Sequence, residues 1–218
     1  MENMKMDMAG AAAVLGFFSQ LETLKPVYEI HGIIGACENM PSGTAIRPGD
    51  VVKAKNGTSI EILNTDAEGR VVLADVLSYA VLQKPESIID LATLTGACIT
   101  ALGSDIAGVM GNDQKLIDAV LLAGKQAGEK LWQMPLEESY RDSIKSDIAD
   151  VRNTSKVSGG GTITAALFLS EFVGKTPWAH IDIAGPAWAE KPTCEYIPVG
   201  GSGFGVRTVW HFVQNNFR

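Results

Sequence analysis

The sequence has only three cysteines, Cys37, Cys98 and Cys194, in 218 residues. They are far apart, odd in number and lack C-x-x-C spacing, which argues against a disulfide framework or a zinc knuckle. The plain reading is buried, reduced thiols in a cytoplasmic protein. His31, His180 and His211 show no H-E-x-x-H spacing, so a bound metal would have to draw its ligands mostly from carboxylates. Basic charge is short as well. Lys plus Arg is 18 against 25 for Asp plus Glu, a formal net charge of −7, which speaks against a nucleic-acid partner. No apolar run approaches the roughly 18 residues of a membrane span. The longest, Met8 to Phe18, is rich in Gly and Ala. Glu2 and Asp7 stand where a signal peptide would be basic, and no A-x-A site follows, so neither a signal peptide nor a membrane association is expected. No repeat, low-complexity tract or linker divides the chain, and one domain over 1–218 is expected.

What is present alternates helical and strand patterns, the mark of an α/β fold. Met8 to Leu24 reads as a helix ended by Pro26, and Val27 to Ala36 as a buried strand. Glu38 to Asp50 reads as a loop. Val51 to Ala54 and Ser59 to Leu63 flank Asn56-Gly57, a strong hairpin signal. Glu68 to Leu82 reads as a helix and Ser87 to Ala92 as a central strand covered on both faces. Ile106 to Met110, Ile148 to Val151 and Trp178 to Ala184 read as strands. Gln114 to Ala127, Thr164 to Val173 and Val206 to Asn215 read as helices. Ser158 to Gly161 lacks the G-K-[ST] ending of a P-loop and reads as a packing turn.

The chemistry concentrates in Asn64-Thr65-Asp66-Ala67-Glu68-Gly69-Arg70. Residues two apart in an extended segment point the same way, so Asp66 and Glu68 can converge on a divalent cation, with Arg70 placing a positive charge alongside. The competing reading is a capping box, Thr65-x-x-Glu68, at a helix start. Asp7, just before the Ala-rich helix, is a second acidic position that stands out, and its local reading is an N-cap. The four methionines among the first eight residues are either core filler or the lining of an adaptable apolar pocket.

The Asn64 to Arg70 segment is identical to the signature of the leucyl aminopeptidase (cytosol aminopeptidase) family. Met4 to Ala12, Asp90 to Ala97, Gly161 to Ala166, Trp178 to Gly185 and Gly203 to Arg207 resemble further blocks of that family in the same order. The resemblance implies a three-layer α/β/α fold with a mixed, mostly parallel sheet. It implies a two-metal exopeptidase releasing leucine and other apolar residues from peptide N-termini. Asp7, Asp66 and Glu68 would be metal ligands. Arg70 would be the catalytic arginine holding a bicarbonate, and Met4, Thr93, Leu94 and Gly96 would line the substrate pocket. Manganese or zinc is the expected metal, with magnesium or cobalt as further candidates, and a hexamer is the expected assembly.

The resemblance also implies a lysine and an aspartate ligand from a segment of the form G-K-G-x-x-F-D-S-G-G, and a second lysine beyond it. No such segment occurs in the sequence. The expectation is therefore an incomplete catalytic domain with an edge or an unfilled place in its sheet, weak metal binding and little activity unless another chain supplies the missing part. The alternative is a non-catalytic assembly or interaction protein that retains the fold.

Overall fold

The computed structural model describes residues 4–192 and 194–216. Its main sheet has four strands: β3 (Ile88–Ala92), β4 (Ile106–Gly111), β5 (Lys130–Gln133) and β7 (Trp178–Asp182). The order is β3-β7-β4-β5; β3 runs parallel to β7, β4 parallel to β5, and β4 antiparallel to β7. A second sheet joins β1 (Val51–Lys53), β2 (Ser59–Glu61) and β6 (Val151–Arg152), and β8 (Trp188–Ala189) pairs with β9 (Gly200–Gly201).

Side-chain alternation sorts the main sheet into two cores. Ile88, Met110 and Trp178 face α3 (Glu68–Leu82) and α6 (Gly161–Ser170), together with Ile60 and Val151 of the smaller sheet. Leu91, Val109, Ala179 and Ile181 face α1 (Ala9–Phe18), α5 (Gln114–Ala127) and α7 (Val206–Asn216). This is the expected α/β/α layering. α6 is apolar all round, and its Ala165 to Leu169 stretch is fully buried between layers.

Local chemistry sets the element ends. In α5, the Asp113 side chain accepts from the Leu116 N–H at 2.8 Å, and Gly128 closes the helix at φ 70°. Leu116, Ile117, Val120, Ala123 and Gly124 form its buried stripe. The hairpin forms with Val51 opposite Glu61, and Gly57 takes φ 95° in its turn. α3, α5 and β4 fall where the residue pattern puts them.

Several expectations need correction. The first helix is split: a 3-10 turn (Met4–Met8), α1, and a short α2 (Leu21–Leu24) that ends at Lys25 in the left-handed region before Pro26. Val27 to Ala36 is neither buried nor a strand; it runs irregularly and mostly exposed, with Gly32 against the Phe18 ring and Gly35 against Val72. Its apolar composition suits a strand, yet it pairs with no described strand. β3 is an edge rather than a central strand among the described residues, though both faces are covered.

The expected strand from Ile148 shrinks to Val151–Arg152 because the Ser146 hydroxyl accepts from the Ile148 and Ala149 N–H groups and bends the chain. α6 starts at Gly161, three positions earlier than expected, after Gly160 at φ 62°, and ends at Ser170. β7 stops at Asp182, whose carboxylate accepts from Ala184 N–H. α4 (Gly96–Leu102), β5, a 3-10 helix at Glu138–Ile144, β8 and β9 complete the described elements. Of the cysteines, Cys98 is buried, whereas Cys37 and Cys194 are exposed; all three are free thiols.

Candidate metal centre

The turn between β2 and α3 is held from within. Asn153, fully buried, accepts from the Leu63 N–H at 2.8 Å and the Asn64 N–H at 3.3 Å. Its amide donates to the Asn64 carbonyl at 2.6 Å and the Ala67 carbonyl at 3.3 Å. Asn64 Oδ1 accepts from the Asp66 N–H at 2.9 Å, and Asn39 donates to the Thr65 carbonyl at 3.0 Å. Asp66 and Glu68 therefore project from a braced turn. The capping box does not form: Ala67 is the N-cap of α3, with no side-chain cap bond.

Asp7 is not an N-cap either. Met8 holds that position in α1, again without a side-chain bond. The Asp7 carboxylate instead accepts from the Thr93 hydroxyl at 2.8 Å, just beyond β3. Close backbone contact makes this possible: a Cβ on Gly10 would lie 2.0 Å from the Leu91 carbonyl oxygen, so only glycine lets α1 approach β3 so nearly.

Two of the three carboxylates feel the charge of a neighbour. Burial raises Asp7 above its ordinary value; the Thr93 bond opposes this and the Asp66 charge adds to it. Burial raises Glu68, the N–H groups of Glu68 and Gly69 oppose, and the charges of Asp7 and Asp66 add. A like charge that holds a neighbour's pKa up is relieved by a cation. Oxygen donors suit a hard or borderline divalent ion. Among the described residues, however, no three His, Cys, Asp or Glu side chains are arranged to enclose a metal ion. The donor chemistry fits a divalent cation, and the described residues do not close a shell around one.

Arg70 turns inward from the first turn of α3. Burial pulls its guanidinium down to about 10, against the opposing charges of Asp182 and Glu68, and its Nε is buried with no partner among the described residues. Asp182 is fully buried. It accepts from the Thr95 hydroxyl at 2.7 Å, the Leu94 N–H at 3.2 Å and the Thr95 N–H at 3.4 Å. Asp90, His180 and Asp182 lie outside the candidate residues taken from the sequence. Their only local signal is polar residues alternating along an otherwise apolar strand, His180-Ile181-Asp182.

Among the expected pocket residues, Thr93 is bonded to Asp7 through its hydroxyl, and Leu94 to Asp182 through its backbone N–H. A Cβ on Gly69 would lie 3.7 Å from the Leu94 side chain, so that side chain sits over the first turn of α3. Gly96 opens α4. Met4 shares the 3-10 turn with Asp7; Met4 and Met8 are exposed rather than core filler.

Comparison with known proteins decides the family. The model of the cytosol aminopeptidase family catalytic domain matches residues 1–210. This chain belongs to the cytosol aminopeptidase family. A probable cytosol aminopeptidase of Gloeobacter violaceus is 56% identical over 213 residues, covering 98% of this chain and 42% of the relative. One from Persephonella marina is 55% identical over 213 residues, 97% of this chain and 43% of the relative. A solved tomato leucine aminopeptidase mutant superposes with a TM-score of 0.92 at 50% identity, covering 99% of this chain and 42% of that one. The aminopeptidase-family chain thus spans well under half the length of the relatives it matches.

Proposed function

We propose that this chain carries the carboxylate side of a two-metal aminopeptidase centre that removes N-terminal residues, preferably leucine and other apolar ones, from peptides. The observation that carries this reading is that the Asp66 charge raises both Asp7 and Glu68, and the Asp7 charge raises Glu68, at the turn that bears the family signature. Asp7, Asp66 and Glu68 would hold manganese or zinc, with magnesium or cobalt as alternatives. When bound, such ions supply Lewis-acid polarisation of the scissile carbonyl and an acidified water.

The protein's own groups do the positioning. Asn153 keeps the Asp66 to Glu68 turn rigid, and Thr93 orients Asp7. Arg70 sets a fixed positive charge beside the carboxylates, where a bicarbonate is the expected anion. Met4, Thr93, Leu94 and Gly96 contribute to the pocket for the first side chain. Its preference is modest, since one methylene is worth about 1–3 kcal/mol.

The same reading has peptides as partners, a homo-oligomer, expected to be a hexamer, and a further segment or chain that completes the ligand set. It places the protein in the cytoplasm, with no membrane or nucleic-acid partner. No described helix is long and apolar enough to cross a membrane. The chain by itself is expected to bind divalent ions weakly and to cleave leucine p-nitroanilide slowly or not at all. Calorimetry with manganese or zinc, and the anilide assay, test this. Turnover at the rate of complete relatives would contradict the incomplete centre. Ordered assembly with no metal binding would favour a non-catalytic assembly protein.

A further inference from the structure

One buried acid holds the segment that carries most of the expected substrate pocket. β3 ends at Ala92, and the chain then leaves the sheet through Thr93, Leu94 and Thr95 to enter α4 at Gly96. Ala92 is directly opposite Asp182, the last residue of β7. Trp178, His180 and Asp182 alternate with Ala179 and Ile181 and so share one face of β7. His180 pairs with Asp90 at 2.7 Å, within the span of β3, whereas Asp182 lies level with its end. The Asp182 carboxylate therefore meets the departing chain.

Asp182 is 0% exposed, and both of its carboxylate oxygens are engaged. Oδ2 accepts from the Thr95 hydroxyl at 2.7 Å. Oδ1 accepts from the Leu94 N–H at 3.2 Å, the Thr95 N–H at 3.4 Å and the Ala184 N–H at 3.2 Å. All of these groups donate, which suits a carboxylate, and the bonds replace the water that burial removes. Thr95 passes the constraint on. Its hydroxyl oxygen accepts from the Cys98 N–H at 3.1 Å, capping α4, and lies 3.0 Å from the Thr162 hydroxyl of α6. Next to Asp182, the Ile183 N–H donates to the Ala92 carbonyl at 2.8 Å. The segment is thus gripped at Ala92, Leu94 and Thr95, and Thr93 lies between the grips. Thr93 is the residue whose hydroxyl donates to Asp7 at 2.8 Å. A β-branched side chain on a held backbone has few χ1 choices, so the grips on either side also aim the hydroxyl.

We propose that Asp182 is a positioning residue for the turn from Thr93 to Gly96, holding the backbone beside Thr93 so that its hydroxyl meets Asp7. The consequence for metal and peptide binding rests on the aminopeptidase reading above; the aim of Thr93 does not.

Solution NMR on the 218-residue chain tests this without metal or substrate. The natural chain is expected to show a single Thr93 χ1 rotamer in its three-bond couplings. In Asp182→Ala, Thr93 is expected to average among rotamers, and the Leu94 and Thr95 amides to exchange about tenfold faster relative to those of β4. Asp182→Asn keeps an oxygen for the N–H groups and turns an amide donor toward the Thr95 hydroxyl oxygen. It is expected to restore both readings, which separates the bonds from the charge. Thr95→Val removes the 2.7 Å bond and leaves the acid in place. Thr93 is expected to average there too, and this variant decides the matter if Asp182→Ala does not fold. Several Thr93 rotamers in the natural chain would overturn the proposal. So would a single rotamer in the deciding variant, even with faster amide exchange, because Asp182 would then brace the turn without aiming Thr93. An Asp182→Asn protein as loose as Asp182→Ala would overturn it as well. Manganese binding is read separately, so a chain that binds no metal yet keeps this Thr93 pattern fails the metal reading alone.

Discussion

The Thr93 hydroxyl donates to the Asp7 carboxylate over 2.8 Å, joining the 3-10 turn before α1 to the turn after β3. This bond pulls Asp7 down against burial and the Asp66 charge, which both push it up. Thr93→Val should therefore raise the Asp7 pKa further, read by carbon NMR of the carboxylate. At a solvent-exposed bond the stability loss should stay below about 1 kcal/mol.

Asp66→Asn should lower the pKa of both Asp7 and Glu68, since its charge raises both. The sign for stability follows. Carboxyls whose folded pKa is raised hold protons more tightly when folded than unfolded. Their contribution is intact below the ordinary values, 3.8 for Asp7 and 4.5 for Glu68, and is lost as pH climbs through the raised ones. At neutral pH the repulsion is fully developed, so Asp66→Asn should raise the melting temperature by about 1–2 °C, allowing for solvent screening. Thermal melts at pH 7 and pH 3.5 check this, with the gain vanishing at the lower pH.

Gly10→Ala should destabilise by about 3 kcal/mol, because its Cβ would meet the Leu91 carbonyl at 2.0 Å and must push α1 off β3. The same displacement should break the Asp7 to Thr93 bond. Urea unfolding gives the first effect, and the Asp7 titration the second.

Glu129 supports the opposite side of the sheet. Its buried carboxylate accepts from the Gly205 and Thr208 N–H groups at 3.1 and 3.0 Å and from the Thr208 hydroxyl at 2.6 Å, seating the start of α7. Glu129→Ala leaves these donors unsatisfied and should cost about 3 kcal/mol by denaturant unfolding.

Local signals explain what the sequence makes legible. Asp113 and Gly128 bound α5, and Asn56-Gly57 forms the hairpin, because caps and turns are written in neighbouring residues. Asp66, Glu68 and Arg70 stand out as candidates for a similar reason, being close along the chain. The strand expected at Val27 to Ala36 fails because a strand needs a partner, and composition does not say whether one is there. The pairing of Asp90 with His180 depends on the register of two strands 90 positions apart, which no local pattern encodes. The capping readings of Asp7 and Thr65 were sound in isolation. Tertiary contact overrode the first, where Thr93 takes the Asp7 carboxylate, and Ala67 became the cap in place of Thr65.

The central claim is that Asp7, Asp66 and Glu68 together attract a divalent cation. Manganese titration of the chain by calorimetry tests it most directly. The account predicts weak, saturable heat for the natural sequence and at least about tenfold weaker binding in each of Asp66→Asn and Glu68→Gln. Equal affinity in all three proteins, or no heat in any, would contradict it.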